Sequence, residues 1–224
     1  MNYNKICVFD FETDGTDTST LNPVQLAAVI VDPRKLELVN GAEFNSFIKP
    51  EDFDDKDYYE KHKSTIDWHS NIRGCSSKEI LELWEEAPSQ KIVWENFMSF
   101  LDKFHLSGKR KSKFTAPLAC GYNILGFDLP IIEKISAKYS KGKQVFHPRD
   151  KIDLMHWMFP WFENSSEVRS YSMDNMRDYF GMSKAGAHDA LKDVRDTASL
   201  FCRFQNLHRR TADKVTFKNA FGKV

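Results

Sequence analysis

Lys5-Ile6-Cys7-Val8-Phe9-Asp10-Phe11-Glu12-Thr13-Asp14-Gly15 is the stretch on which the fold turns. From Lys5 to Phe11 it reads as a buried strand, and a strand sends successive side chains to opposite faces. Ile6, Val8, Asp10 and Glu12 therefore share one face, and Cys7, Phe9 and Phe11 share the other. Two carboxylates emerge on the same side at the strand's end, their Cα atoms roughly 6 to 7 Å apart at a rise of ~3.3 Å per residue. Like charges at the edge of an apolar face repel, and a cation between them removes the conflict. A polar strand end entering the turn Thr13-Asp14-Gly15 accounts for one acid on that face, not two.

The same need appears near the other end of the chain, in Ala187-His188-Asp189-Ala190-Leu191-Lys192-Asp193. The spacing predicts a helix over 190–207, with Ala190, Val194, Thr197, Ala198 and Phe201 in one apolar stripe. Asp193 borders the stripe and shares a helical row with Thr197, Leu200 and Phe204, which turns its carboxylate inward. An inward carboxylate requires a partner or a cation. His188 precedes the helix beside Asp189, a residue type favoured as N-cap, so its imidazole stands next to whatever Asp193 holds.

The 224 residues carry 32 Lys plus Arg against 32 Asp plus Glu. A net charge of zero neither announces nor excludes a nucleic-acid partner, because a local basic strip does not require a basic total. No apolar run approaches the ~18 residues of a membrane span, and Met1-Asn2-Tyr3-Asn4-Lys5 leads straight into the first strand. The expectation is a soluble, cytoplasmic protein with no membrane partner. Cys7, Cys75, Cys120 and Cys202 are scattered, which suggests neither a zinc site nor a disulfide framework. No Pro, Gly or Ser tract reads as a linker, and no internal repeat is visible. One large domain over 1–210 with a loosely held tail over 211–224 is expected.

Between the two acidic stretches, Pro23 to Asp32 is a second apolar strand closed by the turn Asp32-Pro33-Arg34-Lys35. Gly41 to Lys49, with Leu36 to Val39 as a possible lead-in, alternates like a third, so the three form an antiparallel meander. Residues 51–60 are acidic and read as a solvated surface segment. A short helix is expected over 62–70, capped around Ser64 or Thr65, with Trp68 and His69 facing the core or a ligand, the core being favoured. Helices follow over 77–86 and 90–104, then the basic run Lys109-Arg110-Lys111-Ser112-Lys113, most simply a solvated loop, with a phosphate contact as the alternative. Thr115 to Gly121 is another buried strand, followed by a helix from Phe127 or Asp128 to about Tyr139 with Pro130 in its first turn. Asp128 by itself is explained as an N-cap. Lys151 to Trp157 is a short strand or helix carrying Asp153, and Ser172 to Phe180 a helix stopped by Gly181. This order describes an α/β fold, a mixed sheet covered by helices. The first strand and the strand after the crossover then open on one crevice, where Asp10, Glu12, Asp128, Asp193 and His188 can meet.

Three segments carry a resemblance. Phe9-Asp10-Phe11-Glu12-Thr13, Asn123 with Phe127-Asp128, and His188 with Ala190 and Asp193 resemble, in order and spacing, the three motifs of the DEDDh exonuclease superfamily, whose fold is a ribonuclease H-like mixed β-sheet flanked by helices. The likeness extends over residues 5 to 205. Asp14 stands where many relatives have Thr, adding charge beside the site, and Tyr122 where many have His.

The resemblance implies a 3′-5′ exonuclease with two Mg²⁺ or Mn²⁺ ions held by Asp10, Glu12, Asp128 and Asp193. Hard cations that keep waters prefer such oxygen donors. It implies His188 as the base, a role suited to an imidazole, whose unperturbed pKa is near ~6.5. Phe11, Thr13 and Asn123 are implied to position the terminal nucleotide. The implied partner is single-stranded nucleic acid with a free 3′ end, and a DNA polymerase or replisome component is a further candidate. The residues do not separate DNA from RNA, since recognition of the 2′-hydroxyl depends on pocket detail. The rival class is a catalytically silent nucleic-acid-binding or polymerase-bridging module, which a degraded motif would favour and an intact one disfavours.

Overall fold

The computed structural model describes residues 4–106, 112–212 and 214. In chain order the elements are β1 (Ile6–Thr13), β2 (Pro23–Asp32), β3 (Glu37–Phe47), α1 (Tyr58–Arg73), α2 (Ser77–Glu85), α3 (Gln90–Asp102), β4 (Leu118–Gly121), α4 (Asp128–Ser140), β5 (Lys151–Asp153), α5 (Leu154–Phe162), α6 (Met173–Tyr179) and α7 (Ala190–Ala212). The strands form one mixed sheet in the order β3-β2-β1-β4-β5. β1, β2 and β3 are the expected antiparallel meander, while β4 and β5 run parallel to β1.

The alternation of β1 and β2 divides the interior into two layers. Cys7, Phe9, Phe11, Leu26, Ala28 and Ile30 pack on the side of α3 and α4, around Phe97 and Ile131. Ile6, Val8, Ala27, Val29 and Val31 face the other way, onto α5, α6 and α7, around Met158, Met176 and Val194. A sheet buried on both faces explains why β2 is nearly continuous apolar sequence. A third apolar cluster beneath α1 and α2 joins Tyr58, Ile66, Ile80 and Trp84 to Val24. Among the described residues, no helix is long and apolar enough to cross a membrane.

Several boundaries differ from the sequence expectation. Helix α1 starts at Tyr58 rather than near Ser64 or Thr65 and runs for 16 residues, because Tyr58 is buried in the third cluster and anchors the first turn. His69 is buried as expected, but Trp68 is 43% exposed and faces the crevice rather than the core. Strand β4 begins only at Leu118, since Thr115 closes a turn onto Ser112 and Pro117 has no N–H for a ladder. Lys151 to Trp157 is both alternatives in turn, three residues of strand followed by α5. The basic run from Lys109 to Lys111 lies outside the described residues, as does most of the expected tail; α7 itself continues to Ala212.

The topology creates the crevice. β4 pairs with β1 only from Ile6 to Val8, so the rest of β1 extends past its parallel neighbour. The chain leaves β4 through Gly121, whose backbone lies against β1. A Cβ at Gly121 would stand 2.9 Å from the Phe9 carbonyl oxygen and 2.1 Å from the Ile124 Cγ2. Gly121→Ala is expected to cost about 1 to 3 kcal/mol, the usual range for overpacking, and to lower the melting temperature by several degrees. An unchanged melting curve would show that β1 and β4 are not locked in this register.

Candidate active site

Asp10 is the single half-buried residue in an otherwise buried β1. Glu12, two residues on, points the same way and is 8% exposed. Asp193, in the first turn of α7, completes a group of three in which one carboxylate oxygen from each lies within 4.8 Å of the others. Asp128 is the first residue of α4 rather than its N-cap. Its Oδ1 accepts a hydrogen bond from the Phe11 amide at 3.0 Å, which ties the start of α4 to β1 between the two β1 acids.

Burial and crowding act together on these groups. Burial pushes the Asp10 carboxyl well above the ordinary carboxylate range, and Asp128, Glu12 and Asp193 push it further. Glu12 is raised in the same way, by burial and then by Asp193. Burial lifts Asp128 to about 7. Asp193 is also raised by burial, against the pull of the Arg177 guanidinium. A set of hard oxygen donors that resist ionisation alone, and lie this close, fits a divalent cation and not a soft metal.

His188 sits one residue before Asp189, which caps α7 by accepting the Leu191 and Lys192 amides at 3.1 and 3.3 Å. Its backbone is left-handed, with φ 64°. The His188 amide donates to Asp193 Oδ1 at 3.2 Å. The ring makes a T-shaped contact with Trp68, centroids 5.1 Å apart. Beside the acids a pocket of about 400 Å³ is lined by the rings of Phe11, Trp68 and Phe127 together with Glu12 and Thr13. Phe11 is only 4% exposed, so Trp68 is the ring most open to an incoming planar group.

Helix α1 grips the loop after β1 through two histidines two turns apart: His69 Nε2 meets the Thr13 carbonyl at 3.0 Å and His62 Nδ1 meets the Asp14 carbonyl at 2.9 Å. The Asp14 side chain is engaged in a network of its own. Its carboxylate is buried and accepts from the Asn22 amide, the Asn22 side chain and the Tyr58 hydroxyl at 2.7, 3.0 and 3.1 Å. Asp52 and His62 complete that network. Asn123 is exposed with φ 62°, and its backbone rather than its side chain is tied down, donating to Asp153 Oδ1 at 2.9 Å. Asp153 also receives the Leu125 amide at 3.0 Å and so shapes the whole loop between β4 and α4. Tyr122 donates to the Tyr171 carbonyl.

Trp68, Asp153, Asp174 and Arg177 are the contributors that the sequence did not single out for the site. The available signal was Asp193 and Asp196 at i and i+3 on the inward side of α7, which together demand a buried cation. Arg177 supplies it, donating to Asp193 at 2.6 Å and Asp196 at 2.8 Å.

The family model described as Exonuclease, RNase_T, matches residues 7–201. The chain belongs to this exonuclease family. Exodeoxyribonuclease I of Escherichia coli is 26% identical over 209 residues, covering 85% of this chain and 38% of that protein. The chain thus spans well under half the length of this relative. The E. coli Exonuclease I structure in complex with a dT13 oligonucleotide superposes with a TM-score of 0.66 at 17% identity, over 95% of this chain and 43% of that one. A 3′-exonuclease solved in a study of histone mRNA stem-loop recognition gives 0.62 at 15% identity, over 92% and 83%. The expected α/β fold of the DEDDh superfamily is therefore the one observed.

The raised Asp128 carboxyl has a measurable consequence without metal. The folded state binds its proton more tightly than the unfolded chain, so its stabilising contribution is complete below the unfolded pKa near ~3.9. That contribution is lost as pH rises through about 7. Asp128→Asn keeps the acceptor for the Phe11 amide and removes the charge. In chelator the variant should melt with the wild type at pH 4 and several degrees above it at pH 8. Equal melting temperatures at pH 8 would contradict the cost of burying this carboxylate.

Proposed function

We propose that this chain is a metal-dependent 3′-5′ exonuclease that hydrolyses phosphodiester bonds at the 3′ end of single-stranded DNA and releases nucleoside monophosphates. The observation that carries the reading is the convergence of Asp10, Glu12 and Asp193 within 4.8 Å, with Asp128 tethered to the backbone between the first two. The family match supports the reaction class. The likeness to an exodeoxyribonuclease favours DNA, and the likeness to the 3′-exonuclease of the histone mRNA study supports RNA as the second reading.

Asp10, Glu12, Asp128 and Asp193 would hold two Mg²⁺ or Mn²⁺ ions. When bound, such ions activate water and offset charge on the attacking and leaving oxygens of an in-line displacement. His188 takes the proton of the attacking water. Its oxygen joins phosphorus, the bond from phosphorus to the upstream 3′ oxygen breaks, and the shortened strand keeps that oxygen. Trp68 and Phe127 offer faces for the terminal base, contacts that tolerate any sequence. Phe11 backs them, while Thr13 and Asn123 line the approach. A paired end must leave its stack to enter, at a cost of a few kcal/mol, so single strands are preferred.

Oligonucleotides of DNA and RNA labelled at the 5′ or the 3′ end should shorten stepwise from the 3′ end only in the presence of Mg²⁺ or Mn²⁺, with DNA the faster. Internal cuts in a circular single strand, or full activity in excess chelator, would overturn the reading; faster turnover of RNA would transfer it to an exoribonuclease. Asp10→Ala should abolish turnover with the fold intact. His188→Ala should slow it ~10² to 10⁴-fold, the usual worth of a positioned base. A wild-type rate in His188→Ala would remove His188 from that role.

A further inference from the structure

Helix α6 contributes two charged side chains, Asp174 and Arg177, to which the reaction as written assigns no part. Arg177 is completely buried. A guanidinium in that position is tolerable only when paired on all sides. Each of its three nitrogens donates to a carboxylate: Nη1 to Asp174 Oδ1 at 2.8 Å, Nη2 to Asp193 Oδ1 at 2.6 Å and Nε to Asp196 Oδ2 at 2.8 Å. Asp193 Oδ1 thus carries two donors, Arg177 and the His188 amide, and is fixed in direction. The second oxygen of Asp174 lies 3.5 Å from Nε2 of His188. The imidazole is therefore bounded by a carboxylate at one nitrogen and by the Trp68 ring. Its backbone is in the left-handed region, at φ 64°, which a non-glycine residue keeps only where its surroundings over-determine it.

We propose that Asp174 is a positioning residue for His188, and that Arg177 is the buried post fixing Asp174 and Asp193 together. Helix α6 then sets the geometry of the base and of the carboxylate on α7 at once. The proposal rests on the reading of His188 as base and Asp193 as a cation ligand. Neither Asp174 nor Arg177 touches the reacting atoms; each acts through another residue, as groups behind metal ligands and bases commonly do.

The test uses Asp174→Asn, which keeps an acceptor for Arg177, alone and combined with His188→Ala, in the full chain. Asp174→Asn should lower kcat about 10- to 100-fold with KM little changed, and should add no further loss in the His188→Ala background. The imidazole nitrogen resonances of His188, identified by their disappearance in His188→Ala, should shift and broaden in Asp174→Asn without metal or substrate. Arg177→Lys keeps the charge but not the fork. It should weaken calorimetric Mn²⁺ binding about tenfold. Unchanged imidazole resonances in Asp174→Asn, or equal rate losses in both backgrounds, would overturn the role of Asp174. Unchanged Mn²⁺ affinity in Arg177→Lys would overturn that of Arg177. If His188→Ala kept the wild-type rate, the base assignment would fall, while the imidazole spectrum would still decide whether Asp174 positions the ring.

Discussion

Repulsion among carboxylates packed at one end of a sheet is the constraint from which the rest of this structure follows. Asp10 and Glu12 are forced onto one face by the two-residue period of β1, and the end of β4 at Gly121 leaves that face open. Asp128 and Asp193 arrive from separate helices whose own packing is apolar. Ionised together, without a counter-charge, four such groups would oppose the fold. The protein supplies part of the compensation: the Phe11 amide for Asp128, and Arg177 with the His188 amide for Asp193. Asp10 feels the Arg177 charge through space, but burial and the charges of Asp128, Glu12 and Asp193 outweigh it, and its carboxyl stays well above the ordinary carboxylate range. The deficit is centred where a cation would bind.

The supporting elements make sense as devices that hold this unfavourable arrangement still. Helix α1 holds two successive carbonyls after β1 with His69 and His62. Asp153 draws in the amides of the loop before α4. Helix α6 supplies the buried guanidinium. Each is a polar group satisfied inside the protein, and no buried side-chain nitrogen or oxygen among the described residues lacks a partner. Rigid polar scaffolding of this kind is what a site held to sub-ångström tolerance requires.

What could be read from the sequence was whatever followed from a period. The faces of β1 and the inward row of Asp193 come from spacing, the neighbouring of β1 and β4 from the order of strands and crossover, and the structure has them. The cap at Asp189 came from residue type. What escaped depended on partners distant in the chain. Tyr58 starts α1 because Val24 and Trp84 bury it, and an Asp-rich stretch offers no local hint of that. Residue type alone leaves Trp68 between core and ligand with the core favoured, and the neighbour that decides is His188, 120 residues on. Arg177 sits in a seven-residue helix too short to show a period, and its three acid partners are legible only once α6 and α7 are side by side.

The central claim is that the acidic cluster is a cation site and not a set of carboxylates kept neutral by burial. Calorimetric titration of Mn²⁺ into metal-stripped protein at pH 8, for the wild type and Asp10→Asn, tests it most directly. The account predicts two ions bound per chain in the wild type and loss of saturable binding in Asp10→Asn. Absence of saturable binding in the wild type, or indistinguishable titrations of the two proteins, would contradict it.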